Sequence, residues 1–294
     1  MQELLGTIRS NSKVNVPLSG HKGFSVNGVH CRGALNALGA SFYNANFRSF
    51  KVGRRGAGGS SLSLGEAFHR HVFHAYMCGS IICACKPGKK TKCTCKKKLC
   101  LCKEKFGKAT RRTRANSISI THMLDEFKNF LKDNNLKVFD CEVVVGFPNM
   151  RIATAIDVLC VDSLKNPTEL CVLELKTGYL FDRLTPRTIG TSKMMQGEAG
   201  SKIPNSVHNH HQLQLWFGAE ALTNIYAKNV SRSYVVYLNP GRKYAAYKQE
   251  SWWSTPSLRV DLLSQLNTSL RRTYVQKVIS RAPKKKGKKA TTTT

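Results

Sequence analysis

The chain has 294 residues, 41% of them hydrophobic, and carries 47 Lys and Arg against 17 Asp and Glu, a formal net charge of +30 with a pI near 10.0. That hydrophobic share excludes a wholly disordered polymer, and the length suffices to bury a real core in one large domain or two small ones. The charge suits a polyanion, of which nucleic acid is the commonest and anionic membrane the rival, because neutralised phosphates release counterions and reward Lys and Arg almost regardless of sequence.

Residues 1–60 are rich in Gly, Ser and Asn, and their weak periodicity predicts an irregular N-terminal region with one short helix. Met1 to Ser10 has neither the basic start nor the apolar stretch of a secretion signal, and no apolar run is long enough to span a bilayer. The chain therefore reads as soluble and intracellular, with no membrane partner. At Ser63-Leu64-Gly65-Glu66 a capping box opens a helix that Leu64, Phe68, Val72 and Ala75 continue at helical spacing.

A Cys/Lys-rich insert, 78–114, follows with 13 Lys and Arg, one acid and no hydrophobic period. Cys78 precedes three Cys-x-Cys pairs, Cys83/Cys85, Cys93/Cys95 and Cys100/Cys102. In a reducing compartment, thiolates this dense beside Lys favour a metal over disulfides, and Zn²⁺ is the default ion. A zinc thiolate cluster is preferred here to a floppy basic insertion. A second helix, about 119–134, is marked by Ile120, Leu124, Phe127 and Leu131.

Three β-rich runs come next, KVFDCEVVVGF, RIATAIDVLCVD and ELCVLELKT, separated by turns at Pro148-Asn149 and Asn166-Pro167. Residues 178–205, with Arg183, Arg187 and Lys193, read as a basic loop that either contacts a phosphate backbone or a terminal 5′ phosphate or is a solvated loop. A long helix from about Val207 to Ala227 leads to a hairpin, RSYVVYLN and KYAAYKQE, across Pro240-Gly241. The segment 256–280 is amphipathic, with Leu258, Leu262, Leu266, Leu270 and Val278 on one stripe. The tail PKKKGKKATTTT resembles a nuclear localisation signal or serves as a basic arm that adds phosphate contacts, which favours the nucleus over the cytoplasm.

The pattern that asks for chemistry lies on the β-rich runs. Asp157 sits on one apolar strand, and Glu174 and Lys176 project from one side of the next, because strand side chains alternate between faces. Ionised groups in an apolar hairpin are costly unless they pair or hold a metal, and adjacent carboxylates repel unless a cation lies between them. A divalent ion fits that pattern.

Ala155-Ile156-Asp157 and Glu174-Leu175-Lys176-Thr177-Gly178, in this order of elements, resemble the PD-(D/E)xK nuclease superfamily, in particular its RecB-type and phage lambda-type exonuclease branches. Gly65-Glu66-Ala67-Phe68-His69 is similar to the family's upstream helix, whose His adds a metal ligand, and Gln212-Leu213-Gln214-Leu215-Trp216 to its downstream Gln-x-x-x-Tyr motif with Trp in the Tyr place. Glu142 matches an acidic position on the preceding strand.

The resemblance implies an α/β, restriction-endonuclease-like core: a mixed central sheet flanked by helices, order α-β-β-β-α-β, spanning 61–280 with the insert 78–114, and followed by a disordered basic tail, 281–294. It implies a metal-dependent deoxyribonuclease, most readily an exonuclease for DNA processing, recombination or repair of the kind that large DNA viruses and mobile elements encode. Asp157, Glu174 and the Leu175 carbonyl would ligate Mg²⁺ or Mn²⁺, with His69 as an extra ligand tilting the preference toward Mn²⁺. Lys176 would act near the scissile phosphate and the attacking water. Gln212 would orient Lys176 or touch DNA, and Trp216 would pack in preference to stacking on a base. DNA is the expected partner, RNA and oligomeric state staying open. The alternatives are a non-catalytic basic packaging or annealing protein, and a zinc-dependent DNA-binding protein centred on the Cys-rich insert.

Overall fold

A computed structural model describes residues 12–15, 23–43, 60–77, 111–162, 169–177, 190–250, 253 and 255–281. The expected zinc ligands Cys78, Cys83, Cys85, Cys93, Cys95, Cys100 and Cys102 lie outside those residues, as do Arg183, Arg187 and the tail from 282. Among the described residues, no helix is long and apolar enough to cross a membrane.

The fold is mixed α/β. In chain order it comprises β1 (Ser12–Asn15), β2 (Gly23–Val26), β3 (Val29–Gly33), α1 (Ala34–Phe42), α2 (Ser60–Met77), α3 (Arg111–Asp133), β4 (Leu136–Phe147), β5 (Ile152–Asp162), β6 (Leu170–Thr177), β7 (Gly190–Met194), β8 (Pro204–Ser206), α4 (Val207–Tyr226), β9 (Val230–Leu238), β10 (Ala245–Lys248) and α5 (Pro256–Arg281). The β4–β5–β6 meander, the α4 helix and the β9–β10 hairpin stand where the β-rich runs, the helical segment and the turn residues of the sequence put them.

Four expectations need correction. Residues 1–60 hold the expected short helix as α1, but they also supply three strands to the central sheet. The β2–β3 turn is Asn27-Gly28, both at positive φ (51° and 75°), the residue pair that a tight hairpin requires. Helix α2 begins three residues before the Ser63 capping box, so Ser63 lies within the helix. Helix α3 begins at Arg111, eight residues before its expected start, and takes the last four residues of the insert. The described end of the 178–205 loop is not patternless, since β7 and β8 pair antiparallel there.

One eight-stranded sheet runs β1-β2-β3-β5-β6-β9-β10, with β4 also paired to β5. β4 lies antiparallel along the whole of β5. The other edge of β5 is divided, with β3 parallel to it at Ile152 and Ala153 and β6 antiparallel to it at Val158 to Val161. Residues 154–157 thus lie at a fork in the sheet. β9 then runs parallel to β6, and β10 antiparallel to β9.

Helices cover both faces. On one, Ala34, Leu38 and Phe42 of α1, Leu213, Trp216 and Phe217 of α4 and the Leu258, Leu262, Leu266, Leu270 stripe of α5 pack on Val143, Ile156, Val172 and Val235. On the other, Phe68 and Val72 of α2 and Ile120, Leu124, Phe127 and Leu131 of α3 pack on Val158, Leu173, Leu175 and Val236. Each fully buried Leu or Phe contributes about 1.5–3 kcal/mol, so these two layers carry the fold. A partly buried ion pair, Arg232 to Asp162 at 2.6 Å, ties β9 to the end of β5.

Candidate metal centre

The fork in the sheet is also where strand alternation breaks. Ile156 and Val158 are two residues apart yet pack on opposite faces, and so do Cys141 and Val143 on β4. Between the latter pair Glu142 adopts φ 54°, a left-handed conformation that costs an L-residue about 1–2 kcal/mol. A residue flanked by neighbours facing opposite ways projects sideways, along the sheet. Asp157 does so: its Oδ2 accepts the Leu175 backbone N–H at 2.7 Å, filling the gap where β6 departs from β5.

Helix α2 brings His69 to this point. One turn upstream of His69, a Cβ at Gly65 would lie 2.7 Å from Thr177 Oγ1, so glycine there lets the helix lie close against the end of β6. His69 Nδ1 stands 3.5 Å from Asp157 Oδ1 and 3.6 Å from Glu142 Oε1. One donor atom from each of His69, Glu142 and Asp157 lies within 4.8 Å of the others. Glu142, read in the sequence as an accessory acid, is therefore a member of the central cluster.

Glu174 and Lys176 project toward α4. The Lys176 Nζ donates to Glu174 Oε1 at 2.5 Å and to Gln214 Oε1 at 3.1 Å. Their side chains are largely buried, 6% exposed for Glu174 and 17% for Lys176. Glu174 lies close enough to Asp157 and His69 for its charge to perturb both.

Burial opposes protonation of His69, yet the carboxylates of Asp157, Glu142 and Glu174 overcome it and raise the imidazole to about 9. Burial, reinforced by the Glu174 charge, pushes Asp157 up to about 7, against the pull of His69 and Lys176. Without a cation, the cluster holds protons that its members would release in water. Behind Lys176, His211 is buried with Nδ1 at 2.9 Å from the Tyr237 hydroxyl. Burial first, and then the Lys176 charge, drive its pKa well below the usual imidazole range, so it adds no second positive charge to the site.

Gln212 departs from its expected place. It is 1% exposed, its Nε2 lies 3.4 Å from His208 Nε2, and its amide oxygen accepts nothing from Lys176. The Gln212 amide N–H donates to His208 Nε2 in the tautomer that leaves this ring nitrogen unprotonated. On α4, Gln212 shares a face with His208, four residues back, whereas Gln214 shares one with His211, three back, above Lys176. Trp216 is 2% exposed and packs in the core, as expected. Lys193 is exposed on β7.

Hard carboxylate oxygens with one imidazole suit Mn²⁺ or Mg²⁺ better than a thiolate-preferring ion, and the convergence of His69, Glu142 and Asp157 fits such a cation. No protein-family model matches the chain, and a comparison with curated proteins gives no match.

Proposed function

We propose that the chain is a divalent-metal-dependent phosphodiesterase acting on DNA, a nuclease built on a restriction-endonuclease-like core of the PD-(D/E)xK kind. The observation that carries this reading is the convergence of His69, Glu142 and Asp157 within 4.8 Å, beside a buried Glu174–Lys176 pair. His69, Asp157 and Glu142 would hold the ion, with Glu174 close by. Bound there, Mg²⁺ or Mn²⁺ would neutralise phosphate charge and lower the pKa of a water nucleophile. Asp157 is fixed for that role by the Leu175 N–H, and Lys176 offers an ammonium held at a set position to meet the charge that builds on phosphate oxygens. The +30 net charge supplies the affinity for the polyanion.

End-labelled linear and closed circular DNA incubated with Mn²⁺ or Mg²⁺ tests the assignment. Cleavage by the wild type, lost in Asp157→Ala and Lys176→Ala while DNA binding persists, is expected. Wild-type binding without cleavage in either metal would replace the enzyme with a basic packaging protein. Circular DNA, which has no ends, separates an exonuclease from an endonuclease.

A further inference from the structure

We propose that Gln214 is the positioning residue of Lys176, giving the ammonium a neutral second anchor so that Glu174 can turn its charge toward a cation; this inference rests on the nuclease reading above. The Lys176 ammonium is held between two oxygens of different kinds, the Glu174 carboxylate at 2.5 Å and the Gln214 amide at 3.1 Å. Glu174 is almost fully buried, and Lys176 is its ion-pair partner. A divalent ion arriving beside Asp157 competes with Lys176 for that carboxylate and repels the ammonium at short range.

An ammonium released from its carboxylate in a buried site needs another acceptor, or it falls back on the carboxylate and opposes the ion. Gln214 provides one. As an amide it carries no charge, does not titrate and stays an acceptor whether or not a cation is present. It belongs to α4, whose N-cap Ser206 accepts from the Asn209 N–H and whose core face is locked by Leu213 and Trp216, so its reach to Lys176 is set by a rigid element. Gln212, two positions earlier, faces His208 and cannot substitute.

The test compares Gln214→Leu, which removes the acceptor at similar volume, with Gln214→Glu, which keeps an acceptor oxygen, and with Gln212→Leu. Mn²⁺ affinity is measured by electron paramagnetic resonance titration, and kcat and KM on linear DNA. Gln214 is only partly buried, so Gln214→Leu should keep the wild-type melting temperature. Gln214→Leu is expected to weaken Mn²⁺ binding severalfold and lower kcat at least tenfold, with KM within about twofold and kcat largely restored in Gln214→Glu. Unchanged Mn²⁺ affinity in Gln214→Leu, or a larger kcat loss in Gln212→Leu than in Gln214→Leu, would overturn the proposal. The titration needs no cleavage, so a wild type inert toward DNA would refute the nuclease reading, and the Mn²⁺ comparison would still decide the role of Gln214.

Discussion

The raised pKa values of His69 and Asp157 make the stability of the metal-free protein depend on pH in an unusual direction. His69 rises from 6.5 to about 9, so the folding energy it contributes is fully present below pH 6.5 and is lost as the pH climbs toward 9. Asp157 rises from 3.8 to about 7, so the folded chain keeps a proton that the unfolded chain gives up, and stability falls between about pH 4 and pH 7. The two windows adjoin. Across pH 5 to 9 the folded state carries about one extra proton, so stability falls steadily with rising pH, on the order of 1 kcal/mol per pH unit. Ordinary domains are close to their most stable over much of this range. Urea unfolding in EDTA at five pH values measures the slope, and the double variant His69→Ala/Asp157→Ala should flatten it. Saturating Mn²⁺ at pH 8 should restore stability, since an ion then replaces the protons. A wild-type slope no steeper than that of the double variant would refute the reasoning.

Three further substitutions probe the scaffold of the site. Glu142→Gly should be about 1 kcal/mol more stable than Glu142→Ala in EDTA, because only glycine adopts φ 54° without strain, while both weaken Mn²⁺ binding; equal stabilities would remove the strain argument. Gly65→Ala should miss the gain of about 1 kcal/mol that this change brings in a helix interior, since the new Cβ meets Thr177 Oγ1, and the gain should appear when Thr177→Ala is added. Arg232→Ala should cost about 1–3 kcal/mol by chemical denaturation, because it takes the guanidinium from the buried Asp162 carboxylate, whereas Arg232→Met/Asp162→Asn should recover most of the loss.

The elements that sequence reasoning located best are those whose burial is periodic along one chain segment. The Leu258–Leu270 stripe and the Ile120–Leu131 row face the core as their spacing demands, and the continuous apolar runs of β5 and β6 are strands buried on both faces. Asp157 was legible as chemistry because a charge on an apolar strand needs a reason to be there, and His69 through the resemblance of Gly65-Glu66-Ala67-Phe68-His69 to the upstream helix of the nuclease superfamily. The centrality of Glu142 was not, since it depends on a left-handed backbone that breaks alternation on β4, and alternation is what sequence reading assumes. Gln214 escaped for a related reason. Gln212 and Gln214 are the same residue type two positions apart, and only the packing of α4 decides which of them meets Lys176. The strands of the first 60 residues were hidden by their shortness, four or five residues each, although Asn27-Gly28 announced the hairpin.

The claim on which the account turns is that one divalent ion sits among His69, Glu142 and Asp157. Anomalous X-ray scattering at the manganese edge, from crystals grown with Mn²⁺, locates such an ion without any assumption about activity. A single strong peak in contact with His69 Nδ1 and the Asp157 carboxylate, absent from His69→Ala/Asp157→Ala crystals, is predicted. Crystals saturated with Mn²⁺ that show no peak there, or that hold the ion elsewhere with His69 and Asp157 bonded only to one another, would contradict it.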